Sequence, residues 1–180
     1  MSTASPSTAS PDAAASTGMG REKLQILILL AAAQFLVVLD ASITNVALPS
    51  IGRALDVTQS DLAWVVNAYV LTFGGFLLLG GRMADLIGRR KIFMAGLVLF
   101  AAASLTAGLA QNEAMLIVSR AVQGLGAAML SPAALSIVTA TFREGKERNT
   151  ALGVWGAVAG AGGAVGVLMG GVLTEYLSWR

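Results

Sequence analysis

Of 180 residues only 12% are charged and 56% are apolar, whereas soluble domains cover themselves with roughly 25% charged residues. The chain therefore reads as an integral membrane protein with one all-α unit, and its net charge of +2 is set by topology and gives no argument for a nucleic-acid partner. With no Cys and no His it cannot build disulfides, the usual zinc sites or a Ser-His or Cys-His nucleophile, so no enzyme, metal or cofactor is expected.

Residues 1–22 are dominated by Ser, Thr, Ala, Pro and Gly, too polar and small to offset their own ordering entropy, which predicts a disordered cytoplasmic tail. Arg21 and Lys23 then lead into an apolar run, the first predicted span, over residues 24–48. A cleaved signal peptide begins in the same way. This run is long for a signal core, and it contains Asp40. A carboxylate inside a spanning helix costs about 2.5–3.5 kcal/mol to insert, so such residues are usually turned inward and functional. An external loop with Arg53, Asp56 and Asp61 follows, and the 23–180 region is expected to hold four more spans.

Spans two (62–81) and three (92–111) carry no charge, and each is long enough to cross a hydrocarbon core of roughly 30 Å. Trp64 sits where an aromatic belt residue belongs, and Asn67 and Tyr69 add polarity to span two. Between the two spans lies a glycine-punctuated basic turn from Gly80 to Lys91 with Arg82, Arg89, Arg90 and Lys91. Cations are retained on the cytoplasmic side during insertion, which orients the chain.

Span four (114–142) holds the second embedded charge, Arg120, with Gln123 three residues on and therefore on the same helix face. Gly124 and Gly126 let a neighbour come close. Pro132 is expected to bend the helix, with Ser131 or a neighbour satisfying the freed backbone group. Span five (150–174) contains Gly162, Gly166, Gly170 and Gly171, a small-residue stripe for helix packing. Nine of the twelve cations, including Arg143, Lys146 and Arg148, fall on the side predicted to be cytoplasmic. That bias supports an inside amino terminus and five spans. Asp40 and Arg120 each lie about seven residues, or roughly 10 Å, below the external face. The two charges share a level.

Four of these stretches are similar to motifs of one family of secondary transporters, the major facilitator superfamily. Gly81-x-x-x-Asp85-x-x-Gly88-Arg89-Arg90 resembles its signature turn between spans two and three. The segment from Asp40 through Asn45 to Ala47-Leu48-Pro49 resembles the first span of multidrug antiporters with fourteen predicted spans, and Arg120-x-x-Gln123-Gly124-x-Gly126 the fourth-span motif of proton-coupled members. Gly162-x-x-x-Gly166-Val167-x-x-Gly170-Gly171 resembles the fifth-span antiporter motif, departing from it where Val167 stands in place of the usual Pro.

The resemblance implies five helices of an amino-terminal half, with a sixth span and a carboxy-terminal half missing. It implies proton-coupled export of drugs or antibiotics across the plasma membrane. Asp40 and Arg120 would then form the coupling site, Gln123, Asn67 and Asn45 the substrate path, and Gly81, Asp85, Gly88, Arg89 and Arg90 a cytoplasmic gate. The implied partners are a small-molecule substrate, protons, the lipid bilayer and the missing half, with the proton gradient as energy source. A nutrient importer on the same scaffold and a non-transporting membrane interaction protein are the alternative readings.

Overall fold

The structure, a computed structural model, describes residues 20–176. Within them the chain forms α1 (Arg21–Leu55), α2 (Gln59–Ile87), α3 (Arg89–Gly108), α4 (Glu113–Thr141) and α5 (Lys146–Tyr176), with no strand among the described residues. All five are long and apolar enough to cross a membrane. The tail expected over 1–22 falls almost wholly outside the described residues, as does the terminal Leu177 to Arg180.

Two boundaries differ from the sequence reading. α1 does not stop near Pro49 but continues through it to Leu55, which puts Arg53 in the last helical turn and not in a loop. A proline removes one N–H, and here the helix absorbs that loss. Asp56 ends the helix in the left-handed region at φ 51, a conformation Asp tolerates better than most residues. The second difference concerns the basic turn, most of which is helix. α2 runs on to Ile87 because Met83, Ala84 and Leu86 suit a helix and Ala84 is buried in the core. Gly88 alone breaks the chain direction, at φ 114, where a side chain would be strained. α4 opens with Asn112, whose Oδ1 accepts the Met115 N–H at 2.9 Å, a side-chain cap on an otherwise orphan donor.

α4 is the most buried of the five helices and packs along α2 and α3, while α5 packs along α1. Glycines permit both arrangements. A Cβ on Gly96 of α3 would come within 2.8 Å of the Gly126 carbonyl on α4, and one on Gly124 would overlap Thr72 of α2. Pro132 has no N–H for the carbonyl of Ala128. That carbonyl lies so close to Gly80 of α2 that a Cβ there would overlap it, an approach suited to a weak Cα–H···O contact. The role expected of Ser131 is not filled, because its buried Oγ has no partner among the described residues.

On α5, Gly162 faces Phe35, Gly166 faces Leu39 and Ser42, and Gly170 faces Ile43 and Val46. The rising numbers on both helices make them parallel. Gly171 is a correction to the expected stripe, since a Cβ on it would meet nothing within 4 Å. It lies a further 100° round the helix, away from α1. At the basic end, Lys23 Nζ bonds Glu147 Oε1 at 2.6 Å and ties the start of α1 to the start of α5. Large apolar residues such as Leu78 and Leu168 point outward, as a hydrocarbon surrounding allows.

Candidate functional site

Asp40 sits midway along α1, and Arg120 and Gln123 share one face of α4 opposite it. The three close a ring of hydrogen bonds. Arg120 Nη1 donates to Asp40 Oδ2 at 2.5 Å and to Gln123 Oε1 at 2.7 Å, while Gln123 Nε2 donates to Asp40 Oδ1 at 2.8 Å. Both carboxylate oxygens are therefore engaged. The guanidinium also lies over the ring of Tyr69 from α2, 4.4 Å from its centroid, and Tyr69 stacks on Phe73 one turn further along. Cation–π contact of this kind contributes about 1–2 kcal/mol when desolvated.

The ion pair is asymmetric in its exposure. The Arg120 side chain is 3% exposed and that of Asp40 20%, and Gln123 is fully buried. Such a pair is held by geometry more than by net stability, since desolvation offsets most of the attraction. Removing one partner strands the other at a cost of about 3–5 kcal/mol. The group that meets the open side is the carboxylate, the one member able to take a proton. It faces a cavity of about 150 Å³ between α1, α3 and α4.

Other residues singled out in the sequence lie elsewhere. Asn45 is exposed, donates to the Ala41 carbonyl of its own helix at 2.8 Å and borders a separate cavity at the outer end of α1. Asn67 is exposed on α2 and makes no side-chain hydrogen bond among the described residues. Gly81 makes only ordinary contact with Pro132, and Gly88 is the α2–α3 break. Asp85 and Arg90 are exposed, and Arg89 Nη1 reaches the Ser136 carbonyl of α4 at 3.3 Å. Tyr69 is the contributor that sequence reading did not assign to the site. Nothing in local spacing ties it to Arg120, because the pairing of α2 with α4 brings them together.

Residues 30–180 match the Major Facilitator Superfamily. Among curated relatives, the puromycin resistance protein pur8 of Streptomyces alboniger is 53% identical over 154 residues, covering 86% of this chain and 31% of the relative. The cephamycin export protein CmcT of Amycolatopsis lactamdurans is 51% identical, over 86% of this chain and 32% of its own length. The multidrug resistance protein Stp of Mycobacterium tuberculosis is 41% identical, over 90% of this chain and 30% of its own length. The chain thus spans about a third of the length of the curated relatives it matches. Five membrane-length helices, a charge network on α1 and α4, and a family match over most of the chain agree: this is a multi-pass membrane chain that belongs to the major facilitator superfamily.

Proposed function

We propose that the chain is part of a secondary transporter that exports small hydrophobic or cationic compounds, antibiotics among them, in exchange for protons. The carrying observation is the buried Asp40–Arg120–Gln123 network between two helices that otherwise touch over a small area. While Asp40 is ionised it holds both donors. A proton on Asp40 removes the ionic attraction and turns one acceptor oxygen into a donor. Arg120 is not left bare, because Gln123 Oε1 and the Tyr69 ring remain in place. Proton occupancy therefore sets how tightly α1 is tied to α4, and a cationic substrate competing for the carboxylate would be linked to the same switch.

The names of the curated relatives support antibiotics and other drugs as the substrate class. Transport would proceed by alternating access, with this helical unit rocking against a second half around a midplane site, Gln123 lining the path. The exposed Asp85, Arg89 and Arg90 form the cytoplasmic gate that meets the second half. The cation bias supports a cytoplasmic amino terminus, and the plasma membrane is the location that suits an exporter of drugs.

The test is proton-driven export of a cationic dye by inverted vesicles carrying the full-length transporter. Asp40→Asn, correctly inserted, is expected to lower dye movement more than tenfold. Wild-type movement in that variant would make Asp40 a structural acid and sink the coupling role.

A further inference from the structure

We propose that Gln34 of α1 and Ser131 of α4 are the positioning pair of the proton-loaded state: once Asp40 is neutral, α1 and α5 shift along α4 as one body and the Ser131 hydroxyl donates to Gln34 Oε1. This rests on the reading of Asp40 as the acid that takes the proton. Gln34 and Ser131 are each only 9% exposed, yet Gln34 Oε1 and Ser131 Oγ are buried without a hydrogen-bond partner among the described residues. Buried polar atoms are nearly always bonded, and one left bare carries its full desolvation penalty.

Helix register brings the two bare atoms to one level. Lys23 of α1 lies over the ring of Phe142 at the end of α4, and Asp40 meets Gln123, so rising numbers on α1 match falling numbers on α4. The two helices are antiparallel. Eleven residues make three turns of an α-helix and return to nearly the same face. Gln34 stands eleven residues after Lys23, and Ser131 stands eleven before Phe142. Each therefore lies about 16 Å along its helix from that contact, on the face that makes it. Ser131 is also eleven residues from Arg120, which puts it on the stripe of α4 that holds the ion pair. A hydroxyl able to donate and an amide oxygen able to accept thus stand unused at one level of the seam between α1 and α4.

The seam divides two tightly packed bodies. A Cβ on Gly162, Gly166 or Gly170 would come within 2.5–3.1 Å of α1, and Lys23 bonds Glu147 at the basic end, so α1 carries α5 with it. On the other side Gly96, Gly124 and Gly126 lock α4 against α2 and α3. Ala33 lies seven residues before Asp40, and Ala127 and Ala134 lie four and eleven after Gln123, on the same faces as the network and buried in the core. Methyl groups are too short to interlock, which leaves the charge network as the main restraint on sliding. The ionised network fixes the register in which Gln34 and Ser131 miss each other. A neutral Asp40 releases it, and the new bond favours the shift. Arg120 and Tyr69 are the ionisable groups that face Asp40, and neither residues 92–108 of α3 nor residues 149–174 of α5 include one.

The test uses the full-length transporter, with Asp40→Asn standing for the neutral acid. At high pH with Asp40 ionised, Gln34→Met and Ser131→Ala each remove a bare polar atom and are expected to raise the thermal midpoint by about 1–2 °C, additively. In the Asp40→Asn background each should lower it by a similar amount, and the double variant should fall no further than either single one. Additive effects in both backgrounds would mean that the bond never forms. Coupling of equal size in both would mean that the bond, or a water bridging the pair, is permanent. Either result overturns the proposal.

The shift itself can be read without touching the pair. This chain has no native cysteine. With any cysteines elsewhere removed, nitroxides on the Val98→Cys and Val154→Cys variants, at exposed positions of α3 and α5, report a distance that rocking of the whole unit leaves unchanged. That distance should change on acidification when Asp40 is present, and in Asp40→Asn it should stand at the acid value at every pH. A distance that stays the same throughout overturns the shift. Asp40→Asn in the export assay decides the underlying reading separately, since full export by that variant removes the coupling acid whatever the labels report.

Discussion

At the scale of single residues, the site depends on one guanidinium nitrogen serving two acceptors while the planar face covers a ring. That geometry separates shape from charge. Tyr69→Phe keeps the ring and is expected to leave the thermal midpoint and export nearly unchanged. Tyr69→Leu removes the π face and should lower stability by about 1–2 kcal/mol, read as a drop in the melting temperature of detergent-solubilised protein. Equal effects from both variants would show that the hydroxyl, not the ring, matters. Residue counting along the sequence put Asp40 and Arg120 at one depth, because rise per residue is fixed in a helix. It could not place Tyr69 over Arg120, because that meeting depends on how the helices rotate against one another.

At the scale of elements, glycine position decides how close two helices come. Gly166→Ala would force a Cβ to 2.5 Å from the Cβ of Ser42 and 2.9 Å from the Leu39 carbonyl. It is expected to push α5 off α1 and lower the thermal midpoint. Gly171→Ala meets nothing within 4 Å, and Ala is favoured over Gly in a helix by about 1 kcal/mol, so that variant should be neutral or slightly stabilising. Heat denaturation of the two side by side distinguishes them, and equal losses would contradict the packing. The four-residue repeat of Gly162, Gly166 and Gly170 was legible because spacing alone defines a stripe. The role of Gly80 was not: it stands in the sequence as part of a turn, and only the partner backbone at Ala128 shows why a side chain is excluded. The helical continuation to Ile87 was hidden for a similar reason, since the basic residues and glycines suggested a loop while burial of Ala84 holds the helix together.

At the scale of the whole molecule, α1 with α5 and α4 with α2 and α3 form two packed groups. They are joined across the middle by the charge network, while the Lys23–Glu147 bond holds α1 to α5 within the first group. The number and order of the helices were readable from apolar run lengths, whereas this grouping was not, because lipid-facing and helix-facing apolar residues look alike in sequence. The network also bears on how the chain is made. Asp40 and Arg120 are 80 residues apart, which at a synthesis rate of about 5–20 residues per second is an interval of roughly 4–16 s. During that interval α1 holds an uncompensated acid, and α4 then arrives with a base that costs about 2.5–3.5 kcal/mol to place in lipid by itself. α1 must therefore stay beside the insertion machinery until α4 emerges, so that the acid receives the base directly. Asp40→Leu, which relieves α1 but abandons Arg120, is expected to reduce α4 insertion in a glycosylation-mapping assay, and Asp40→Leu combined with Arg120→Leu to restore it. The ion pair that fastens α1 to α4 in the finished fold would act earlier as a chaperone for its own helix.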